Sequence, residues 1–72
     1  MRERMNFIKV HEHAYVDTAT GVMLCVKFSL HGGCEVYMGD FRLKNFFAEE
    51  KENAKPYLEY LVKRFNAGEG IE

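Results

Sequence analysis

A chain of 72 residues with ten Lys and Arg against eleven Asp and Glu has a formal net charge of −1, which removes the basic field that nucleic-acid binders use to gather phosphates. Two cysteines are too few for the disulfide scaffold of a small secreted domain, so a reducing, cytoplasmic setting is expected. The first residues lead into Ile8-Lys9-Val10-His11-Glu12 rather than an apolar stretch, and no run approaches the ~20 apolar residues of a spanning helix, so neither a signal peptide nor a membrane span is predicted.

The length fits one small domain over 1–72, whose single core supplies only about 3–5 kcal/mol. With 47% hydrophobic and 14% aromatic residues, apolar area is expected to remain for a partner, and self-association is the simplest outlet.

Ile8, Val10, Ala14 and Val16 alternate with mostly polar residues, which predicts a first strand over 5–16. Asp17-Thr18-Ala19-Thr20-Gly21 supplies turn chemistry. Val22, Leu24, Val26, Phe28 and Leu30 then predict a second strand over 22–30. Both apolar sets fall on even numbers, so a register in which partners sum to 38 puts them on one face: Val16 with Val22, Ala14 with Leu24, Val10 with Phe28, Ile8 with Leu30. His31-Gly32-Gly33 is expected to close a three-residue loop, with partners summing to 64. That turns Cys34, Val36 and Met38 inward beside Leu30, Phe28 and Val26. Cys34 then faces the core and Cys25 faces away, leaving two free thiols.

After Met38-Gly39-Asp40 the segment 41–48 reads as a short helix carrying Leu43, Phe46 and Phe47, or as a further strand reached through a Gly-Asp turn. The helix is preferred. Glu49 to Asn53 is a solvated charged stretch, and Pro56 predicts a break near Lys55. A helix over 54–66 follows from Tyr57, Leu58, Leu61, Val62 and Phe65 at helical spacing, with Lys63 and Arg64 in its last turn and Gly68 beyond. Residues 1–4 and 67–72 are expected to fray. The predicted fold is α+β: a three-stranded antiparallel meander with the C-terminal helix packed on one face.

Four groupings carry candidate chemistry. His11 and His13 alternate on the first strand, and the 38-sum register places Cys25 opposite His13, three ligand types for zinc. Lys27 opposite His11 opposes that reading, and an exposed polar face accounts for the same residues. Glu12 falls among the inward set, where an unpaired carboxylate is costly; a bulge or edge that frees it to water or a basic partner is expected. His31 and Cys34 bracket the second turn, yet the register buries Cys34, and no helix begins behind Gly32-Gly33 to make a phosphate cradle. The largest set is aromatic. Phe7, Tyr15 and Tyr37 are expected on the outward face, with Met23 opposite Tyr15, and Phe46 and Phe47 offer a further docking element. With Lys9, Lys27 and Arg42 such a face would stack single-stranded RNA; without a basic field it serves better as a dimer face.

In size and lack of catalytic groups the chain resembles, in architecture, small phage- or plasmid-encoded inhibitors, of which anti-CRISPR proteins are one kind. The expectation is therefore a non-enzymatic, cofactor-free homodimer that binds and modulates or inhibits a larger protein, with zinc binding or weak single-stranded RNA binding as alternatives.

Overall fold

The computed structural model describes residues 4–69. Five strands pair antiparallel in chain order: β1 (Phe7–His11), β2 (Ala14–Asp17), β3 (Met23–Phe28), β4 (Cys34–Met38) and β5 (Phe41–Phe46). A 3-10 helix over Ala48–Asn53 then leads into α1, Ala54–Asn66, which packs on one face of the sheet. The fold is α+β, as expected, but the sheet has five strands rather than three.

One extra strand comes from dividing the expected first strand. The chain reverses at Glu12 and His13, so that Ile8 pairs with Val16, Lys9 with Tyr15, and His11 with Ala14, with Val10 the extra residue of a β-bulge. No Gly or Pro marks this reversal. Because Ile8 and Val16 sum to an even number, the even-numbered residues stay together on one face, and the alternation passes through the hairpin as though the strand were continuous.

That shared face is not the core face. β2 and β3 pair with sums of 39, Ala14 with Cys25, Tyr15 with Leu24 and Val16 with Met23, one residue away from the expected register. A one-residue change exchanges the faces of every side chain. Phe7, Tyr15 and Asp17 therefore turn inward with Leu24 and Val26, while Ile8, Val10, Ala14 and Val16 turn outward. Each aromatic ring offers more area to bury than any one of the aliphatic side chains it displaces. The inward Asp17 is almost fully buried, but its carboxylate accepts the Asn6 N–H (2.7 Å), the Thr20 N–H (3.1 Å) and the Thr20 hydroxyl (2.6 Å). Its own N–H donates to the Val22 carbonyl at 2.8 Å, and Gly21, with φ +79, donates back to the Asp17 carbonyl. This polar turn fixes the register.

β3 and β4 keep the expected faces at a register shifted by two residues, with Val26 opposite Val36 and Phe28 opposite Cys34. The loop is correspondingly longer, Ser29 to Gly33, and Leu30 stands at its tip fully exposed. Gly33 lies so close to the end of β5 that a Cβ there would sit 2.6 Å from the Phe46 carbonyl oxygen. Segment 41–46 is strand rather than the preferred helix. Gly39 (φ +62) and Asp40 close a two-residue turn, the geometry such turns need to match strand twist. A bulge at Leu43 lets its side chain reach the core with Phe46.

α1 matches the expected range. Ala54, Leu58, Leu61 and Phe65 are buried against Leu24, Val26, Cys34, Val36 and Phe46, each large side chain contributing roughly 1.5–3 kcal/mol of burial. The break lies at the change from 3-10 to α at Asn53–Ala54, and Pro56 falls in the first turn, where its missing N–H leaves no bond unmade. Residues 67–69 form a cap rather than a frayed end: Glu69 N–H donates to Arg64 C=O at 2.8 Å and Gly68, at φ +81, to Phe65 C=O at 3.1 Å. Residues 1–3 and 70–72 of the expected frayed ends lie outside the described residues.

Candidate functional site

The face opposite α1 is the candidate site. Among the described residues no element packs on it. Its rows follow from the register: Ile8, Val16 and Met23 in one, and Ala14, Cys25, Tyr37 and Arg42 in the next, with Val10 beside His11 on the bulge. Ile8, Val10 and Met23 are 47%, 52% and 44% exposed, so three large apolar side chains crowd the β1–β3 half. A cluster of aliphatic residues left in water beside one another is the feature to explain, since singly scattered ones need no explanation.

The β4–β5 half is polar and internally satisfied. The Glu35 carboxylate accepts the Tyr37 hydroxyl at 3.0 Å and the Arg42 guanidinium at 3.1 Å, and the Lys27 ammonium lies 4.6 Å from the Tyr37 ring centroid. The hydrogen bond to Glu35 holds the Tyr37 phenol above its ordinary pKa, with burial adding to the effect. This half supplies orientation and a polar rim; the aliphatic half supplies area.

Several expected interface residues lie elsewhere. Phe7 is buried, its ring centroid 6.0 Å from that of Phe65. Tyr15 packs half-buried against the core, and Phe46 is buried with its ring edge on Tyr57. The register change accounts for the first two, and strand geometry at 41–46 for the third. Met23 and Tyr37 are on the outer face as expected, and Phe47 is exposed just beyond β5. The aromatic platform expected for stacking RNA bases is thus reduced to Tyr37, already covered by Lys27. Ile8, Val10 and Val16, expected inside, are the site residues the pattern misplaces. The signal that could have placed them is the odd-numbered Phe7 and Tyr15, which compete for the same core with larger side chains.

His11, His13 and Cys25 are not brought together. Cys25 sits between Ala14 and Tyr37, while the His13 ring meets Phe28 edge-on at 5.0 Å. Among the described residues no group of three His, Cys, Asp or Glu side chains is disposed to hold a metal ion. Glu12, released at the turn, pairs with the Lys55 ammonium, and the hydrogen bond and charge together lower the carboxyl pKa and raise that of the lysine. The thiols are free, and Cys34 is buried, which raises its pKa and keeps it a neutral thiol rather than a nucleophile.

A cleft of about 380 Å³ lies between the β3–β4 loop and the start of α1, lined by His13, Phe28, Lys51, Glu52 and Lys55. Its volume is in the range of small-ligand sites, but Lys55 is already paired with Glu12, and an acid, Glu52, shares the lining with Lys51. No helix among the described residues is long and apolar enough to cross a membrane. Compared with protein-family models, curated proteins and solved structures, the chain matches none of them.

Proposed function

We propose that this chain is a small non-enzymatic interaction module that self-associates through the outer face of its sheet and binds and modulates a larger protein. The observation that carries the reading is the contiguous exposed set Ile8, Val10 and Met23 on a face that no described element covers. Burying such side chains against their own symmetry mates is the simplest way to remove them from water.

Size limits how tightly copies hold. Five strands about 4.8 Å apart, each with about five residues at about 3.3 Å per residue, present a face of roughly 400 Å². A symmetric pair would bury roughly 800 Å², below the ~1,200–2,000 Å² of stable specific complexes and in the range of weak, transient ones. The association expected is concentration-dependent rather than permanent.

Sedimentation equilibrium on untagged protein from low micromolar to millimolar concentration tests this. The expected result is a monomer–dimer curve that Val10→Lys abolishes while the circular dichroism spectrum is unchanged, because Val10 is half exposed on a bulge at the sheet edge. A strict monomer at all concentrations, or a dimer indifferent to Val10→Lys, would overturn self-association through this face.

A further inference from the structure

The two edges of the sheet are finished differently. Along β1 the outward backbone groups of residues 5–7 are occupied by the end of α1. Met5 N–H donates to the Phe65 carbonyl at 3.1 Å, Phe7 N–H donates to Asn66 Oδ1 at 2.8 Å, and Asn66 Nδ2 donates to the Phe7 carbonyl at 3.2 Å. The bulge at Val10 blunts what remains. β5 has no such cover among the described residues. Gly39 N–H donates to Met23 C=O and Ser29 N–H to Gly33 C=O, so the odd-numbered residues of β4 bond towards β3 and the even-numbered ones towards β5. The partners of those even residues are Phe41, Lys44 and Phe46. By alternation the N–H and C=O groups of Arg42 and Asn45 point outward along a six-residue strand.

We infer that the β5 edge is a docking strand for an extended, acidic segment of another protein, added antiparallel or parallel as a sixth strand. The inference rests on the reading of the chain as an interaction module, but not on self-association through the outer face. Charge selects the occupant. β5 carries Arg42 and Lys44 and no acid; Glu35 already pairs with Arg42, and Asp40 stands outside the strand in the turn. A second copy of β5 would bring cations against cations. An acidic strand meets the opposite condition: with Arg42 held by Glu35, Lys44 has no acid paired with it among the described residues, and a carboxylate of the added strand would supply one. The C-terminal end of β5 adds an apolar seat. A cavity of about 160 Å³ lined by His31, Glu35, Asn45, Phe46 and Phe47 opens there, and Phe47 is 67% exposed beside it. Main-chain bonds at Arg42 and Asn45 would give affinity, the carboxylates register, and one apolar side chain in the seat specificity.

The test titrates isotope-labelled protein with a synthetic hexapeptide alternating Glu and Val and ending in Phe, beside the same peptide with Lys for Glu. The acidic peptide is expected to shift and protect the Arg42 and Asn45 amides, with affinity falling several-fold as salt rises from low to physiological strength. Lys44→Glu is expected to weaken binding about tenfold, and Lys44→Gln less, as loss of charge rather than of fold requires. Equal binding of both peptides, perturbations centred on Val10 and Met23 instead, or no change at millimolar peptide would overturn the inference. Sedimentation of Lys44→Glu should match that of the parent, which separates failure at this edge from failure of the outer-face dimer.

Discussion

Replacing Asn66 by Ala isolates the clasp that closes the β1 edge. The side-chain amide makes two hydrogen bonds to the Phe7 backbone, one as acceptor and one as donor. Each is worth about 0.5–1.5 kcal/mol net, so the pair contributes about 1–3 kcal/mol. Opposing this, Ala is a better helix former than Asn by up to about 0.7 kcal/mol, and only part of that applies at the last helical residue. The balance is a loss of about 1–2 kcal/mol, which for a domain of this size lowers Tm by roughly 5–15 °C. Thermal and urea unfolding followed by circular dichroism measure the loss, and amide exchange at Phe7 locates it. Asn66→Asp keeps the acceptor and should preserve protection of the Phe7 amide, while losing the bond to its carbonyl and placing a negative charge at the helix C-terminus. Unchanged or increased stability of Asn66→Ala, the result helix propensity alone would give, would refute the clasp.

Gly33→Ala forces a Cβ to within 2.6 Å of the Phe46 carbonyl oxygen, so backbone must move at both the loop and β5. The expected outcome is a loss of about 1–3 kcal/mol in urea unfolding, with the Phe46 and Phe47 amide resonances displaced; an unaltered spectrum would contradict the close approach. The Asp17 carboxyl is held below its ordinary pKa by the Thr20 hydroxyl and then the Asn6 N–H. A folded pKa below the unfolded one means that this stabilisation is complete above about pH 4 and is lost as pH falls through the folded value. Asp17→Asn should lower Tm at neutral pH and flatten the acid limb of the Tm–pH curve; an acid limb equal to that of the parent would assign the acid sensitivity to other carboxylates.

Elements governed by one local period are readable in this chain without the structure. The helix over 54–66 combines apolar spacing with a glycine beyond its end, and the opposite faces of Cys25 and Cys34 follow from parity that survives a two-residue slip. The division of 5–16 into two strands has no such signal, because the reversal at Glu12–His13 uses neither Gly nor Pro, and a bulge preserves the alternation across it. Nor does parity decide which face is inside when both faces carry apolar residues. Here the choice falls to Phe7 and Tyr15 against Ile8 and Val16, and to a carboxylate, Asp17, that is tolerable inside only because three donors converge on it. The same choice leaves the aliphatic set in water, so the candidate site and the 39-sum register of β2 and β3 share one cause. Met23 and Tyr37 keep their outward placement under either register for a simple reason: β3 and β4 retain their faces, and only the strands before them exchange theirs.

The clasp also sets the connectivity of the molecule. Met5 and Phe65 are hydrogen-bond partners, so the described chain leaves and returns at one corner, nearly a closed ring with its seam along β1. A ring with an adjacent seam can be opened elsewhere, for instance at the exposed Leu30 turn, and closed by a short link between the neighbourhoods of Met5 and Phe65 without changing any strand neighbour. During synthesis the same geometry means that β1 keeps a bare edge until residues 65 and 66 arrive, and the last turn of the helix finishes a sheet whose first strand was made sixty residues earlier.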